Sequence, residues 1–138
     1  MVHKDNNEWV PVLDPTSAVP IYEQVVEQVA LAVASGQLVA GDALPSVRAL
    51  AGAVQINPNT AARALREIER LGLARTLRGV GSVVDDGAKA IARVNARSAL
   101  SRDVGALVQM ALRLGLDDDE LVEVVRKTWK EMHREDAD

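Results

Sequence analysis

The 138-residue chain is 48% hydrophobic and 26% charged, with two Trp, one Tyr and no Phe, so its core has to be aliphatic and alanine-rich, which suits small, closely packed helices. It has no Cys, which excludes disulfides, thiolate metal sites and thiol nucleophiles and fits a reducing compartment. No run reaches the roughly 18 apolar residues of a membrane span, and the polar Met1–Asn7 stretch lacks the apolar run of a secretion signal, so a cytoplasmic protein with no membrane partner is expected.

The net charge of -4 is unevenly distributed. Residues 44–84 hold six arginines against two glutamates, a local +4, whereas residues 1–43 sum to -5 and residues 85–138 to -3. A segment so rich in arginine in an acidic chain points to an anionic partner more than to a solvated helix face, where signs intersperse.

In chain order, Trp9 to Leu13 reads as a short extended piece that Pro11 confines to a sheet edge or a non-strand. A turn-rich stretch leads to Pro20, after which Ile21, Val25, Val29 and Val33 keep one apolar row until Gly36 closes a first helix. Gln37 to Leu44 is a Gly-containing connection. Ser46 then caps a short second helix carrying Val47, Leu50, Ala51 and Val54. Gln55-Ile56 makes a turn, Asn57 caps, and Pro58 opens a third helix to about Arg70. On that helix Ala61, Leu65 and Ile68 share one face, and Asn59, Arg63, Arg66 and Arg70 another. Two short helices joined by a tight turn, with the second facing arginines outward, have the layout of a helix-turn-helix. Gly72 stops the third helix, and the Leu73–Leu77 and Ser82–Val84 runs about Arg78-Gly79-Val80-Gly81 read as a hairpin wing whose tip needs positive φ.

Asp85-Asp86-Gly87 breaks the pattern. The remainder is helical by period up to Gly115, with Ser98 to Asp103 as a possible interruption, and Asp117–Glu120 open a last helix. Val104, Leu107, Val108, Ala111 and Leu112 of the one, and Leu121, Val124, Val125, Thr128, Trp129 and Met132 of the other, form stripes that two helices bury poorly by themselves. They are read as a homodimer interface, the alternative being that the pair folds back on its own head. The fold class expected is mostly α with a small β-wing, a winged helix-turn-helix head over residues 1–84 and a C-terminal α-helical hairpin, the dimerisation domain, over residues 85–138.

Pro20-Ile21-Tyr22-Glu23-Gln24, Gly36-Gln37-Leu38, Gly41-Asp42-Ala43-Leu44-Pro45-Ser46-Val47-Arg48, Asn57-Pro58-Asn59-Thr60, Arg63-Ala64-Leu65 and Gly79-Val80-Gly81-Ser82 together resemble, in order and spacing, the DNA-binding head of the GntR family over about Val12 to Val84. The Asn-Pro-Asn-Thr run and the short tail resemble its YtrA subfamily, which implies two C-terminal helices for dimerisation and no large effector domain. The resemblance implies a bacterial repressor and carries DNA-contacting roles onto Arg48, Asn57, Asn59, Thr60, Arg63, Gly79 and Gly81. Two positions depart from it: relatives commonly have glycine where Gln55 stands, and often tyrosine where Leu65 stands.

The candidate DNA-binding set is therefore Ser46, Arg48, Asn57, Asn59, Thr60, Arg63, Arg66, Arg78, Gly79 and Gly81. Arg48, Arg63 and Arg66 suit either guanine or phosphate, Asn57 a cap or a base, and Thr60 a phosphate or its own backbone, while Arg78 suits a minor groove. Arg70 is left out because the helix dipole explains it. The partners expected are a double-stranded DNA operator and a second copy of the chain. No residue identifies an effector, and no cofactor, metal or catalytic site is expected, since His3 and His133 stand far apart in sequence and Asp117–Glu120 have no nearby histidine. The rival reading is a winged helix that meets an acidic protein; single strands are disfavoured by the scarcity of aromatics for stacking.

Overall fold

The computed structural model describes residues 9–137; His3 and the Met1–Asn7 stretch lie outside the described residues. Helices α1 (Ile21–Ala34), α2 (Val47–Val54) and α3 (Pro58–Arg70) precede strands β1 (Ala74–Leu77) and β2 (Gly81–Val84), and helices α4 (Ala88–Arg113) and α5 (Asp118–Ala137) follow. The fold is the mostly helical one expected, with a single two-stranded antiparallel sheet among the described residues. Two compact units divide the chain, one ending at Ser98 and one starting at Ala99. No helix among the described residues is long and apolar enough to cross a membrane.

The core of the first unit is the one the apolar periods mark. Val25, Val29 and Val33 of α1, Leu50 of α2, and Ala61, Ala64 and Ile68 of α3 are all buried, together with Leu73 and Val84. Each fully buried Leu or Ile among them contributes roughly 1.5–3 kcal/mol. Alanines at 30, 61 and 64, none of them exposed to solvent, let the helix backbones approach closely without a large side chain between them. The first unit continues past the wing because Ala88 and Ala92 at the start of α4 are buried in the same cluster and Ile91 packs against it.

Trp9 to Leu13 forms no strand, as Pro11 allowed; Pro11 is buried instead, and Trp9 and Leu13 pack on the core. The turn that follows is held by Gln24, the buried polar side chain of α1. Its Nε2 donates to the carbonyls of Asp14 at 2.9 Å and Val19 at 2.8 Å, and its Oε1 accepts from the Asp14 amide at 2.8 Å. A buried amide is tolerated where its donors and acceptors find partners in this way. The connection before α2 is more ordered than its sequence indicates. Ala43 bridges Val83, the Leu44 amide donates to the Ser82 carbonyl at 2.9 Å, and the Val84 amide donates to the Asp42 carbonyl at 2.8 Å, so residues 42–44 lie along β2.

Gly72 ends α3 as expected, with φ of 85°. A Cβ there would also meet the tip of the Ile91 side chain at 2.9 Å, which can shift, so it is the backbone conformation that favours glycine here. The polar residues in the middle of α4 do not interrupt it: Asn95 Nδ2 and Ser98 Oγ donate to the carbonyls of Ile91 and Val94, four residues back, and the helix runs unbroken through Ser98–Asp103. Such back-bonding satisfies the side chain without removing a backbone bond. A reciprocal capping box opens α5, the Glu120 amide donating to Asp117 Oδ1 at 2.8 Å and the Asp117 amide to Glu120 Oε1 at 3.3 Å.

Within the second unit, Ala111 is buried and Leu121 half-buried, while Val104, Leu107, Val108, Leu112, Val124, Val125, Thr128, Trp129 and Met132 are exposed. Trp129 stacks on His133 with ring centroids 4.9 Å apart yet remains 64% exposed.

The turn between α2 and α3 confirms the departure noted in the sequence: Gln55 is the positive-φ non-glycine residue of the described chain, with φ 55° and ψ 50°. The Ile56 amide closes this turn on the Ala51 carbonyl at 3.1 Å, the long-range bond of a left-handed helix cap. The left-handed penalty of about 1–2 kcal/mol exceeds the entropy a glycine adds to the unfolded chain, about 0.4–1 kcal/mol. Gln55→Gly is therefore expected to raise stability in urea denaturation by about 0.5–1 kcal/mol; a decrease would show that the Gln55 side chain itself supports the turn.

Candidate nucleic-acid interface

The two helices of the helix-turn-helix begin with their own side-chain caps. Ser46 Oγ accepts from the Ala49 amide at 3.1 Å, and Asn57 Oδ1 accepts from the Asn59 amide at 2.8 Å, each satisfying one of the orphan donors of a helix start. Both residues remain exposed beyond these bonds. Arg48, one residue into α2, also points to solvent, and with Val47, Ala51, Gly52, Ile56 and Pro58 it lines an open recess. The start of α2 and the start of α3 thus share one surface.

The side chains of α3 sort by burial. Ala61, Ala64 and Ile68 form the inward line, Leu65 is half-buried against the core, and Asn59, Arg63, Arg66 and Arg70 are exposed. Thr60 is half-buried. The six arginines of the basic segment do not remain equivalent. Arg70 makes two bonds to the Glu67 carboxylate, which hold that carboxyl below its ordinary pKa. Arg75 pairs with Asp85 at 3.4 Å and Asp86 at 3.9 Å. Arg48, Arg66 and Arg78 make no side-chain ion pair among the described residues. Arg63 is also exposed, but its guanidinium lies 3.8 Å from the centroid of the Tyr22 ring on α1.

In the wing, β1 and β2 pair from Ala74 with Val84 to Leu77 with Gly81. The three-residue tip is closed by the Val80 amide on the Leu77 carbonyl at 3.0 Å. Gly79 takes φ 82° at the third position of this turn, the conformation that its sequence anticipated. Arg78, Gly79, Val80 and Gly81 are all exposed. The wing is tied to α3 by one carboxylate: Glu69 accepts from the Thr76 hydroxyl of β1 and, at 3.2 Å, from the Ser82 hydroxyl of β2. Among the described residues no cluster of three or more His, Asp or Glu side chains converges as a metal site requires.

The family model described as bacterial regulatory proteins, gntR family, matches residues 21–84, the span of this head. The chain is 35% identical over 115 residues to the HTH-type transcriptional repressor YtrA of Bacillus subtilis, covering 83% of this chain and 88% of that protein. The chain belongs to the GntR family. Among solved structures, a GntR family transcriptional regulator from Listeria monocytogenes is similar at a TM-score of 0.67 and 28% identity, over 83% of this chain and 98% of that one. YtrA from Sulfolobus acidocaldarius, a GntR-family transcription factor, is similar at a TM-score of 0.53 and 26% identity, over 88% and 98%. This GntR protein is thus a DNA-binding transcription regulator with a YtrA-like build.

Two residues of the GntR head were not among those singled out for the site. Tyr22 was quoted only for the resemblance, although it is the stacking partner of Arg63. Glu69 read as one of two acids offsetting the arginines, although it joins α3 to both wing strands. Neither has a local signature, because Tyr22 and Arg63 are far apart in the chain and the two hydroxyls that reach Glu69 depend on hairpin register. Glu69→Ala is expected to cost about 1 kcal/mol in thermal denaturation and to accelerate hydrogen exchange at amides of residues 74–84 while those of α1 are unchanged. Unaltered exchange in the wing would show that backbone pairing alone fixes its position.

Proposed function

We propose that this GntR regulator is a cytoplasmic, non-catalytic repressor that binds a near-palindromic double-stranded operator as a homodimer. Residues 1–84 serve as the DNA-binding domain and residues 85–138 as the dimerisation domain, with the start of α4 contributing Ala88 and Ala92 to the core of the first unit. The observation that carries the reading is the fate of the charges. Arg70 and Arg75 are neutralised by acids, whereas Arg48, Arg66 and Arg78 stay exposed and unpaired among the described residues, and none of the three is buried or needed by the core. Guanidiniums left in this state at the helix-turn-helix and at a glycine-rich hairpin tip suit phosphate oxygens and guanine edges. Ser46, Asn57, Asn59 and Thr60 at the helix starts add neutral donors, and Gly79 and Gly81 allow close backbone approach.

The dimer reading rests on the second unit. Leu100, Val104, Leu107, Ala111 and Leu114 recur at the alternating four- and three-residue spacing of a helix-packing seam, and all but Ala111 are exposed in the single chain. With the exposed Val124, Val125, Trp129 and Met132 of α5 they leave apolar surface on the order of several hundred Å² uncovered, an amount that marks an interface. A two-fold axis through such a face presents two copies of α3 to successive major grooves, which requires half-sites about 34 Å apart.

Footprinting of a duplex selected from a random pool is expected to show two symmetric protected half-sites one helical turn apart. Leu107→Glu is expected to yield monomers in sedimentation and to lose that cooperative footprint. Protection of one unrepeated half-site by the saturating wild-type protein would exclude the dimeric reading, and absence of any salt-dependent binding to duplexes would exclude the DNA reading altogether.

A further inference from the structure

Outside its buried line, α3 presents three parallel stripes. Asn59 and Arg66, seven residues and about two turns apart, lie opposite Ala61, Ala64 and Ile68 and form the crest. Thr60 and Glu67 lie on one flank, and Arg63, about 40° round the helix from both Asn59 and Glu67, is drawn to that flank by its contact with Tyr22 of α1. Ala62 and Glu69 lie on the other, which faces the wing, as the bonds from Thr76 and Ser82 to Glu69 show.

A major groove is about 12 Å wide and a helix with its side chains about 10–12 Å across. A helix seated in it therefore offers its crest to the base edges, while its flanks meet the walls, which are phosphate backbones. Arg63 stands at the border of crest and flank, and its contact with Tyr22 holds it on the flank side. Its guanidinium carbon sits 3.8 Å over the Tyr22 ring, so the ring covers one side of the cation and leaves its other side to a partner. Glu67, the acid on the same flank, has its carboxylate bonded to Arg70. Reaching guanine on the groove floor would require Arg63 to leave the ring, whereas a phosphate on the wall is met with the stack intact.

We infer a division of labour on α3: Arg63, held by Tyr22 as a positioning residue, grips the phosphate backbone, and sequence is read from the crest by Asn59 and Arg66. The inference rests on the DNA reading above and assigns the target that the residue types alone leave open.

The test measures affinity for a selected operator and for duplexes carrying each single base-pair change, over a series of salt concentrations. Arg63→Ala is expected to weaken every duplex by a common factor, constant to within about twofold. It should also make the salt slope shallower by about 0.9 for each phosphate that the guanidinium no longer neutralises, about 1.8 for a dimer. Tyr22→Leu is expected to weaken binding in the same sequence-independent way, and Tyr22→Phe, which keeps the ring, to match the wild type. Arg66→Ala is expected instead to lose about 5- to 150-fold discrimination at one base pair of each half-site. Levelled preference at any base pair in Arg63→Ala would overturn the assignment of Arg63. An effect of Tyr22→Leu as large in the Arg63→Ala background as in the wild type would overturn the role of Tyr22. Failure of the DNA reading is distinct from both: the wild type would then show neither sequence preference nor salt slope, and this inference would fall with it.

Discussion

The packing of α3 through small side chains is the constraint on which the rest depends. Ala61, Ala64 and Ile68 are fully buried, and a helix that seats itself on two alanines and one isoleucine has a single rotation that hides all three. That rotation fixes the direction of every other residue on the helix. It puts Asn59 and Arg66 on the crest, Arg63 beside Tyr22, and Glu69 beside the wing. A larger side chain at Ala61 or Ala64 would push α3 outward and change the surface presented to DNA before it removed any polar contact.

Acids in and beside the basic segment sharpen it by pairing selectively. Glu67 takes Arg70, and Asp85 and Asp86 take Arg75. These exposed pairs contribute little to stability, but they leave the cationic side chains concentrated at the start of α2, along the outer surface of α3, and at the hairpin tip. Glu69 uses its charge differently, accepting two hydroxyls from the wing, so the hairpin is fixed to α3 by polar bonds and to the connection before α2 by backbone pairing with residues 42–44. In the second unit the pattern is reversed. Leu112, Trp129 and Met132 stay more than half exposed in one chain, apolar surface that the proposed dimer would cover.

Much of the architecture was legible because it depends on residues close in the chain. Apolar period, capping Ser46 and Asn57, Pro58 at a helix start, and Gly72 and Gly79 at positive φ each act within a few residues, and each appears where the sequence indicated. The strain at Gln55 was legible for the same reason, once glycine was known to be common there. The polar stretch Ser98–Asp103 left the continuity of α4 open, because Ser and Asn favour either a break or a bond to their own helix, and only the surroundings select between them.

By itself, then, the sequence determined the helices, the hairpin, their order and the location of positive charge, since these follow from local propensity and from composition. Tertiary structure alone decided which arginines remain available. Arg70 and Arg75 are neutralised, Arg63 is laid on Tyr22, and the connection at residues 42–44 becomes a partial third strand. Most of these outcomes depend on groups distant in the chain coming within a few ångströms, and even the local Arg70–Glu67 pair is one of several that α3 permits. Side-chain electrostatics acts over that distance, which periodicity and spacing do not specify.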